Sequence, residues 1–340
     1  MRQKRVLALV GEGSKPPRTL EGLSEEKIAE WKMEYDVLAA LEALGHDPIA
    51  LETGHDLTRI RDAIDEHRPQ IVFNMLEDFH GQVVFDSNVV AYLELLRIPY
   101  TGCNPRGLVL SRDKALTKKI CTYHRIAVPK FAVFRRGGRP RKLTRLTYPL
   151  IVKSLLEDAS IGISQASVVH DQAQLEKRIQ FVHETVGDHA IVEEFIEGRE
   201  LYLGILGNDR LETFPPWELH LDKLPEGVPR IATERIKWNL KYQKKYKILS
   251  GAAENLPEGV AEKMARVGKR VFKLLGLSGY ARLDFRLRAD GKVFLLEANA
   301  NPDLTRDEDL ALAASAHGLE YESLIQRVLN LGFRYYAAWE

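Results

Sequence analysis

Residues 280–302 read YARLDFRLRADGKVFLLEANANP. Two runs of alternating character flank an Ala289-Asp290-Gly291 turn, the pattern of antiparallel strands joined by a tight reversal. Side chains alternate between the faces of a strand. Arg282 and Asp284 therefore share one face, and Glu297 and Asn299 share one face of the next strand. Paired as a hairpin, the two runs bring a guanidinium, two carboxylates and an amide to one surface. Such oxygen ligands suit Mg²⁺, and a guanidinium beside them suits a phosphoryl group. The same residues would also make an ordinary salt-bridged sheet face, so the rest of the chain has to decide.

Upstream, Lys153 ends the apolar run Leu150-Ile151-Val152 within PLIVKS. A lysine at the end of a buried strand can hold a positive charge over phosphates, or it can be an edge lysine whose ammonium reaches water. Lys114 stands near the start of a basic amphipathic helix in SRDKALTKKICTYHRI, where a solvated position serves equally well. DASIGIS, 158–164, has small residues that let backbone N–H groups approach a phosphate, or simply make a turn. In IVEEFIEGRE, Val192 and Phe195 supply apolar walls, and the backbone near Glu194 and Ile196 suits a purine edge. Glu193 can accept from an exocyclic amine and Glu200 from ribose hydroxyls, although four glutamates so close also fit a charged face. Together these pieces can hold ATP with divalent cations. The GxxxxGK[ST] loop and the HRD and DFG motifs are missing, so another nucleotide-binding architecture is required.

The 340 residues exceed one typical domain. Over 1–110, strand signals at 6–10, 46–51 and 70–75 alternate with helix signals at 25–44, 57–67 and 86–96, which predicts a parallel sheet covered on both faces. The Gly11-Glu12-Gly13-Ser14 turn lies where such sheets bind ligands, but Ser14-Lys15-Pro16-Pro17 replaces the helix start of a dinucleotide fingerprint. Over 111–200, a basic helix, strands at 128–134 and 149–154, a helix at 171–184 and two strands around Gly198 predict a small α+β unit. Over 201–340, a helix at 257–275, the hairpin and closing helices at 307–317 and 321–331 form a larger unit. The stretch 226–248, polar, basic and aromatic, reads as a mobile or ligand-covering loop rather than a core element.

A net charge of +1 offers no general field for nucleic acid or an anionic membrane, so neither partner is expected. Cys103 and Cys121 form no disulfide framework or metal spacing and read as reduced thiols. The run 6–10 is too short for a signal peptide, and no stretch is long enough for a membrane span. The expected compartment is the cytoplasm.

In this order the motifs resemble those of the ATP-grasp superfamily, specifically the D-alanine–D-alanine ligase-like enzymes. The likeness covers nearly the whole chain and is carried by IPYTG, SRDKALTKK, PLIVKSLLEDASIGIS, IVEEFIEGRE and GYARLDFRLRADGKVFLLEANANP. It implies an ATP-grasp fold of α/β and α+β character. An amino-terminal parallel-sheet domain would span 1–110, a central small subdomain 111–200, and a carboxy-terminal subdomain with the metal hairpin 201–340. Lys114 and Lys153 would contact ATP phosphates; Glu193, Glu194, Phe195 and Ile196 would meet adenine, and Glu200 ribose. Asp284, Glu297 and Asn299 would hold magnesium, two ions with Mn²⁺ as a substitute, and Arg282 would meet the transferring phosphoryl group. Lys241 matches the family's phosphate-contacting loop lysine across a gap. The implied reaction is attack of a carboxylate on the γ-phosphate, then attack of an amine on the acyl phosphate. Closure of the central subdomain and the covering loop would exclude water.

The departures fall on the substrate side. The Gly-Ser-Ser-Val-Gly loop of those ligases is Asp158-Ala159-Ser160-Ile161-Gly162 here, and Ala159 lacks the hydroxyl that helps orient the first substrate. Their His-Gly segment and acidic loop become NMLEDFHGQ, which keeps His80 and leaves Glu77 or Asp78 to face substrate or solvent. Glu308 stands where a serine receives the second substrate's carboxylate. A glutamate repels a carboxylate unless it is protonated or paired, so Glu308 favours an amine or polyamine-like acceptor, or points to solvent. The expectation is an ATP-dependent carboxylate–amine ligase that departs from D-alanyl-D-alanine synthesis. The alternatives are a nucleotide-responsive binding protein and an acyl-phosphate-forming enzyme with a non-amine acceptor. The helix 86–96 could support a homodimer.

Overall fold

Three sheets organise the computed structural model, which describes residues 2–138, 143–157 and 160–335. The first joins β1 (Arg5–Val10), β2 (Asp47–Glu52) and β3 (Ile71–Asn74) in parallel, in the order β2-β1-β3. All of β3 and all but the first residue of β1 are buried, as the unbroken apolar runs of a covered parallel sheet require. The helix expected at 25–44 is broken into Glu25–Ala29 and Lys32–Ala43. Trp31 leaves helical geometry at the break, and its indole N–H donates to Gly13 O at 2.8 Å.

The second sheet contains β4 (Phe131–Phe134), β5 (Leu150–Ser154), β6 (Val168–Val169) and β7 (Ala190–Glu194), all antiparallel, in the order β4-β7-β5-β6. It has a core of its own, in which Phe134, Val152 and Val192 pack on Leu175 and Ile179 of the helix Gln172–Phe181. The third comprises β8 (Arg199–Leu206), β9 (Glu212–Thr213), β10 (Trp217–His220), β11 (Leu249–Ala252), β12 (Tyr280–Leu287) and β13 (Val293–Ala300). Its order is β11-β10-β8-β12-β13, with β9 beside β8. This sheet shares its cores with the first: Leu9 and Val72 lie with Leu203 and Leu283, and Ala8 and Phe73 with Tyr280 and Leu304.

β7 and β8, expected within one α+β unit, belong to different sheets, and residues 195–198 cross between them. Gly198 permits the crossing. Its φ is +149°, and an added Cβ would stand 2.1 Å from Leu287 O. The basic helix also differs from expectation. Asn104 caps a helix Pro105–Arg112, accepting from Gly107 N at 3.0 Å, and Asp113 caps a new one, Lys114–Tyr123, accepting from Leu116 N at 2.8 Å. Lys114 thereby becomes a first-turn residue. No helix among the described residues is long and apolar enough to cross a membrane.

Candidate active site

The hairpin forms as the alternation predicts. β12 pairs with β13 so that Arg282 lies opposite Asn299 and Asp284 opposite Glu297, with a register irregularity just after Asp284. The Arg282 guanidinium makes a two-pronged contact with Asp284, Nε to Oδ1 at 2.8 Å and a terminal nitrogen to Oδ2 at 3.0 Å. It also stands 3.7 Å from Asp309 and 4.7 Å from the centre of the Tyr202 ring. Burial pushes the Asp284 carboxyl upward, Arg282 pulls it down, and Glu297 adds to the upward push; the balance lies above the ordinary range. Burial acts the same way on Glu297, but Lys114, Lys153, Lys237 and Arg282 outweigh it and hold this carboxyl well below the ordinary range.

These residues fit a hard divalent cation in donor chemistry. Two carboxylates and an amide oxygen share a face, and Asn299 Nδ2 is buried with no partner, which leaves the amide to act through its oxygen. The set falls short of three acidic or histidine ligands, and no larger cluster of such groups gathers among the described residues.

A cleft between the second and third sheets, enclosing about 600 Å³ with its open mouth, is lined by Lys114, Lys153, Glu200, Asp284, Arg286 and Glu297 among others. Lys114 donates to Glu157 O at 2.6 Å. Lys153 lies 3.4 Å from Glu193 Oε2. Sequence reasoning gives Glu193 to an adenine amine. Here its carboxylate is buried between Lys153 and Lys118, whose Nζ lies 3.3 Å from Oε1. Glu194 points to the other face, within 3.3 Å of Lys130 Nζ. Phe195, bound through its N–H to Pro149 O at 3.0 Å, packs with Ile151, Ile163, Val168 and Ile231 as an apolar wall, and half-buried Ile196 follows in the crossing segment. Glu200 accepts from Arg286 at 2.7 Å and from Tyr202 OH at 3.2 Å. Arg286 also donates to Gly198 O at 3.0 Å and Arg230 O at 2.8 Å, tying the crossing segment to the covering segment.

That covering segment is built, not loose. Helices Glu234–Trp238 and Leu240–Tyr246 pack Ile236, Tyr242 and Tyr246 on Leu221, Leu224 and Ile248. Ile231, Ala232 and Lys237 line the cleft, so the covering role stands while the loop becomes helical. Gly162 N, expected to be open to a phosphate, donates to Glu234 Oε2 at 3.0 Å, and Glu234 N donates to Ile163 O at 3.0 Å. Lys241 needs correcting. It is exposed on the second helix and absent from the cleft wall, whereas Lys237 lines the cleft and acts on Glu297, Asp284 and Glu308. Asn239, in an extended conformation, ends one helix and caps the next, so the two lysines lie on different helices, a break that sequence alone does not reveal.

At the substrate end, Ser160 lines the cleft in a left-handed conformation, while Ala159 lies outside the described residues. His80, also left-handed, stacks edge-on against His55 at 4.3 Å between ring centres. Asp78 accepts from Gly81 N at 3.1 Å, which makes it a turn-former. Glu308 keeps accessible surface but sits deep enough in the protein that lost solvation, with Asp303 and Asp309 nearby, pushes its carboxyl to about 7. Sequence reasoning missed Glu34. Its residue is only 7% exposed in the first turn of Lys32–Ala43, and its carboxyl accepts a hydrogen bond from its own backbone N–H. Burial, with Glu77 and Asp303 adding repulsion, raises its carboxyl to about 7. The turn is fixed beside the Asp303 loop because Arg306 N donates to Asp36 at 3.1 Å and Lys32 lies 3.7 Å from Asp307.

A lysine-lined cleft between a four-stranded antiparallel sheet and a larger sheet carrying an acidic hairpin is the ATP-grasp fold. The family model described as D-ala D-ala ligase C-terminus matches residues 120–330. The D-alanine--D-alanine ligase of Syntrophotalea carbinolica is 32% identical over 336 residues, 97% of this chain and 96% of that protein. An uncharacterized protein of Sinorhizobium fredii is 30% identical over 305 residues, 88% of this chain and 87% of its own length. The crystal structure of D-alanine--D-alanine ligase from Bacillus anthracis complexed with ATP matches the fold with a TM-score of 0.73 at 23% identity, covering 97% of this chain and 98% of that one. The chain belongs to the D-alanine–D-alanine ligase family, and it is an ATP-dependent ligase that forms a C–N bond.

Proposed function

We propose that this ligase joins a small carboxylate to an amine carrying an additional positive charge, through an acyl phosphate formed with ATP. The observation that supports the ATP half is the convergence of Lys114, Lys153 and Lys237 on Glu297 across one cleft. Lys114 and Lys153 bind the phosphates, Glu200 the ribose, and Phe195 and Ile196 flank the adenine, with the main chain at Glu193 and Glu194 along the purine edge. Asp284, Glu297 and Asn299 would hold two Mg²⁺ ions, with Mn²⁺ as a substitute. When bound, the metal neutralises phosphate charge. Arg282, which here neutralises Asp284, supplies a guanidinium for charge developing on the phosphoryl group. Lys237 and the helices around it exclude water from the acyl phosphate.

The acceptor half departs from D-alanine ligation in this reading because burial and the shared neighbour Asp303 raise both Glu308 and Glu34 to about 7, and an ammonium group nearby would favour their charged forms. His80, Ser160 and Glu77 would complete the substrate end, to which the resemblance also assigns Ala159. We further propose the three-part division at 110 and 200, a cytoplasmic setting, and a homodimer through the helix Asp86–Leu95, where Val84, Phe85 and Leu95 are exposed, the last by 81%.

The test is ADP and phosphate release measured with carboxylates and amines singly and together. Release that needs both, with a product mass equal to their sum less water, supports the reading. Failure to bind Mg-ATP, or hydrolysis indifferent to both substrates, overturns it.

A further inference from the structure

Lys118 has no place in the proposed chemistry, yet it is among the most completely buried large side chains in the molecule. It lies one helical turn after Lys114 on the same face, so the helix Lys114–Tyr123 presents one ammonium to the cleft and sinks the other beneath it. Its Nζ stands 3.3 Å from Glu193 Oε1 and donates to the carbonyl of Leu296, the residue before Glu297. Lys153 holds the other oxygen of the same carboxylate at 3.4 Å. The Lys118 and Glu193 side chains are each 1% exposed, whereas Lys153 is 10% exposed and lines the cleft.

Two ammoniums against the one carboxylate that both touch leave a local surplus of positive charge, offset in part by Glu297, where water is scarce, an arrangement stabilised when an anion arrives. Lys118 is enclosed, so the surplus is expressed at Lys153. Without Lys118, Glu193 and Lys153 would form a neutral buried pair. A phosphate would then have to draw Lys153 from a carboxylate left with no partner, which is strongly unfavourable.

We infer that Lys118 is a positioning residue: by staying on Glu193 it releases Lys153 to a phosphate of the nucleotide. The inference rests on the proposed contact between Lys153 and ATP. It is tested by Lys118→Met, which should raise the KM for ATP by about tenfold to a hundredfold while kcat changes less than about threefold. Adding Glu193→Gln, which keeps an acceptor oxygen but removes the charge, should bring the KM back to within about threefold of the parent. A double variant as weak as Lys118→Met, or weaker, overturns the inference and leaves Lys118 a packing residue. The unaltered protein gives a second reading that needs no variant to fold. In a crystal with Mg²⁺ and the imido analogue of ATP, Lys153 should have left Glu193 for a phosphate while Lys118 remains on it. If Lys153 reaches the phosphate but Lys118 has also left, the inference alone fails. If no phosphate lies near Lys153, the inference and the ATP-site reading fail together.

Discussion

At the nucleotide end of the cleft, carboxylates meet cations: Glu193 lies between Lys118 and Lys153, Glu200 accepts from Arg286, and Asp284 is gripped by Arg282. At the proposed acceptor end, carboxylates lie near one another. Glu34 faces Glu77 and Asp303, and Glu308 faces Asp303 and Asp309. The first end has a complete set of cation partners for its carboxylates and must exchange internal partners for ligand. At the second, burial with Asp303 and Asp309 raises the Glu308 carboxyl, and Arg282 and Lys237 oppose them without cancelling the rise.

The largest expected effect falls on the complete end. Glu297→Gln should lower turnover by about three orders of magnitude or more, because it removes a proposed metal ligand and the charge on which four cations converge. Lys237→Ala should cost about a hundredfold, and Lys241→Ala less than about twofold. Steady-state rates at saturating ATP give the ratio, and equal losses at the two lysines would break the distinction drawn between them.

The acceptor end makes a smaller, pH-dependent prediction through Glu34. Its carboxyl is raised from 4.5 to about 7 in the folded chain, so the native state holds this proton more firmly than the unfolded state does. Stability from this group is therefore greatest below pH 4.5, declines as pH rises to about 7, and stays lower above it. The difference amounts to about 3 kcal/mol at pH 8. Glu34→Gln should accordingly raise the melting temperature by a few degrees at pH 8 and leave it unmoved at pH 4, while weakening a cationic acceptor by about tenfold. A variant that gains nothing at pH 8 would show that the carboxylate is already compensated, and the contrast between the two ends would lose its footing.

The hairpin was legible because alternation and a tight turn fix which side chains share a face, and the structure pairs Arg282 with Asn299 and Asp284 with Glu297 in that register. Other parts were hidden for separate reasons. Lys118 looks like one more charge on an amphipathic helix, since sequence does not say that a carboxylate from β7 will sit over it. Glu34 was hidden by a helix assumed to run unbroken from residue 25; the break at Trp31 sets which side chains the second helix turns inward. The strand signals of β7 and β8 were clear, but a strand pattern does not name its sheet, and only the close approach of Gly198 to Leu287 explains how the chain crosses. Lys237 and Lys241 lie on two helices broken at Asn239, the first fixed by Ile236 packing on Leu221 and Leu224.

The most direct trial of the account is an initial-rate comparison of acceptors across a panel of carboxylates, read by ADP release and product mass. D-alanine is set against a short diamine and a basic amino acid. The account predicts a kcat/KM at least about tenfold higher for an acceptor with a second positive charge. A higher kcat/KM for D-alanine would contradict it.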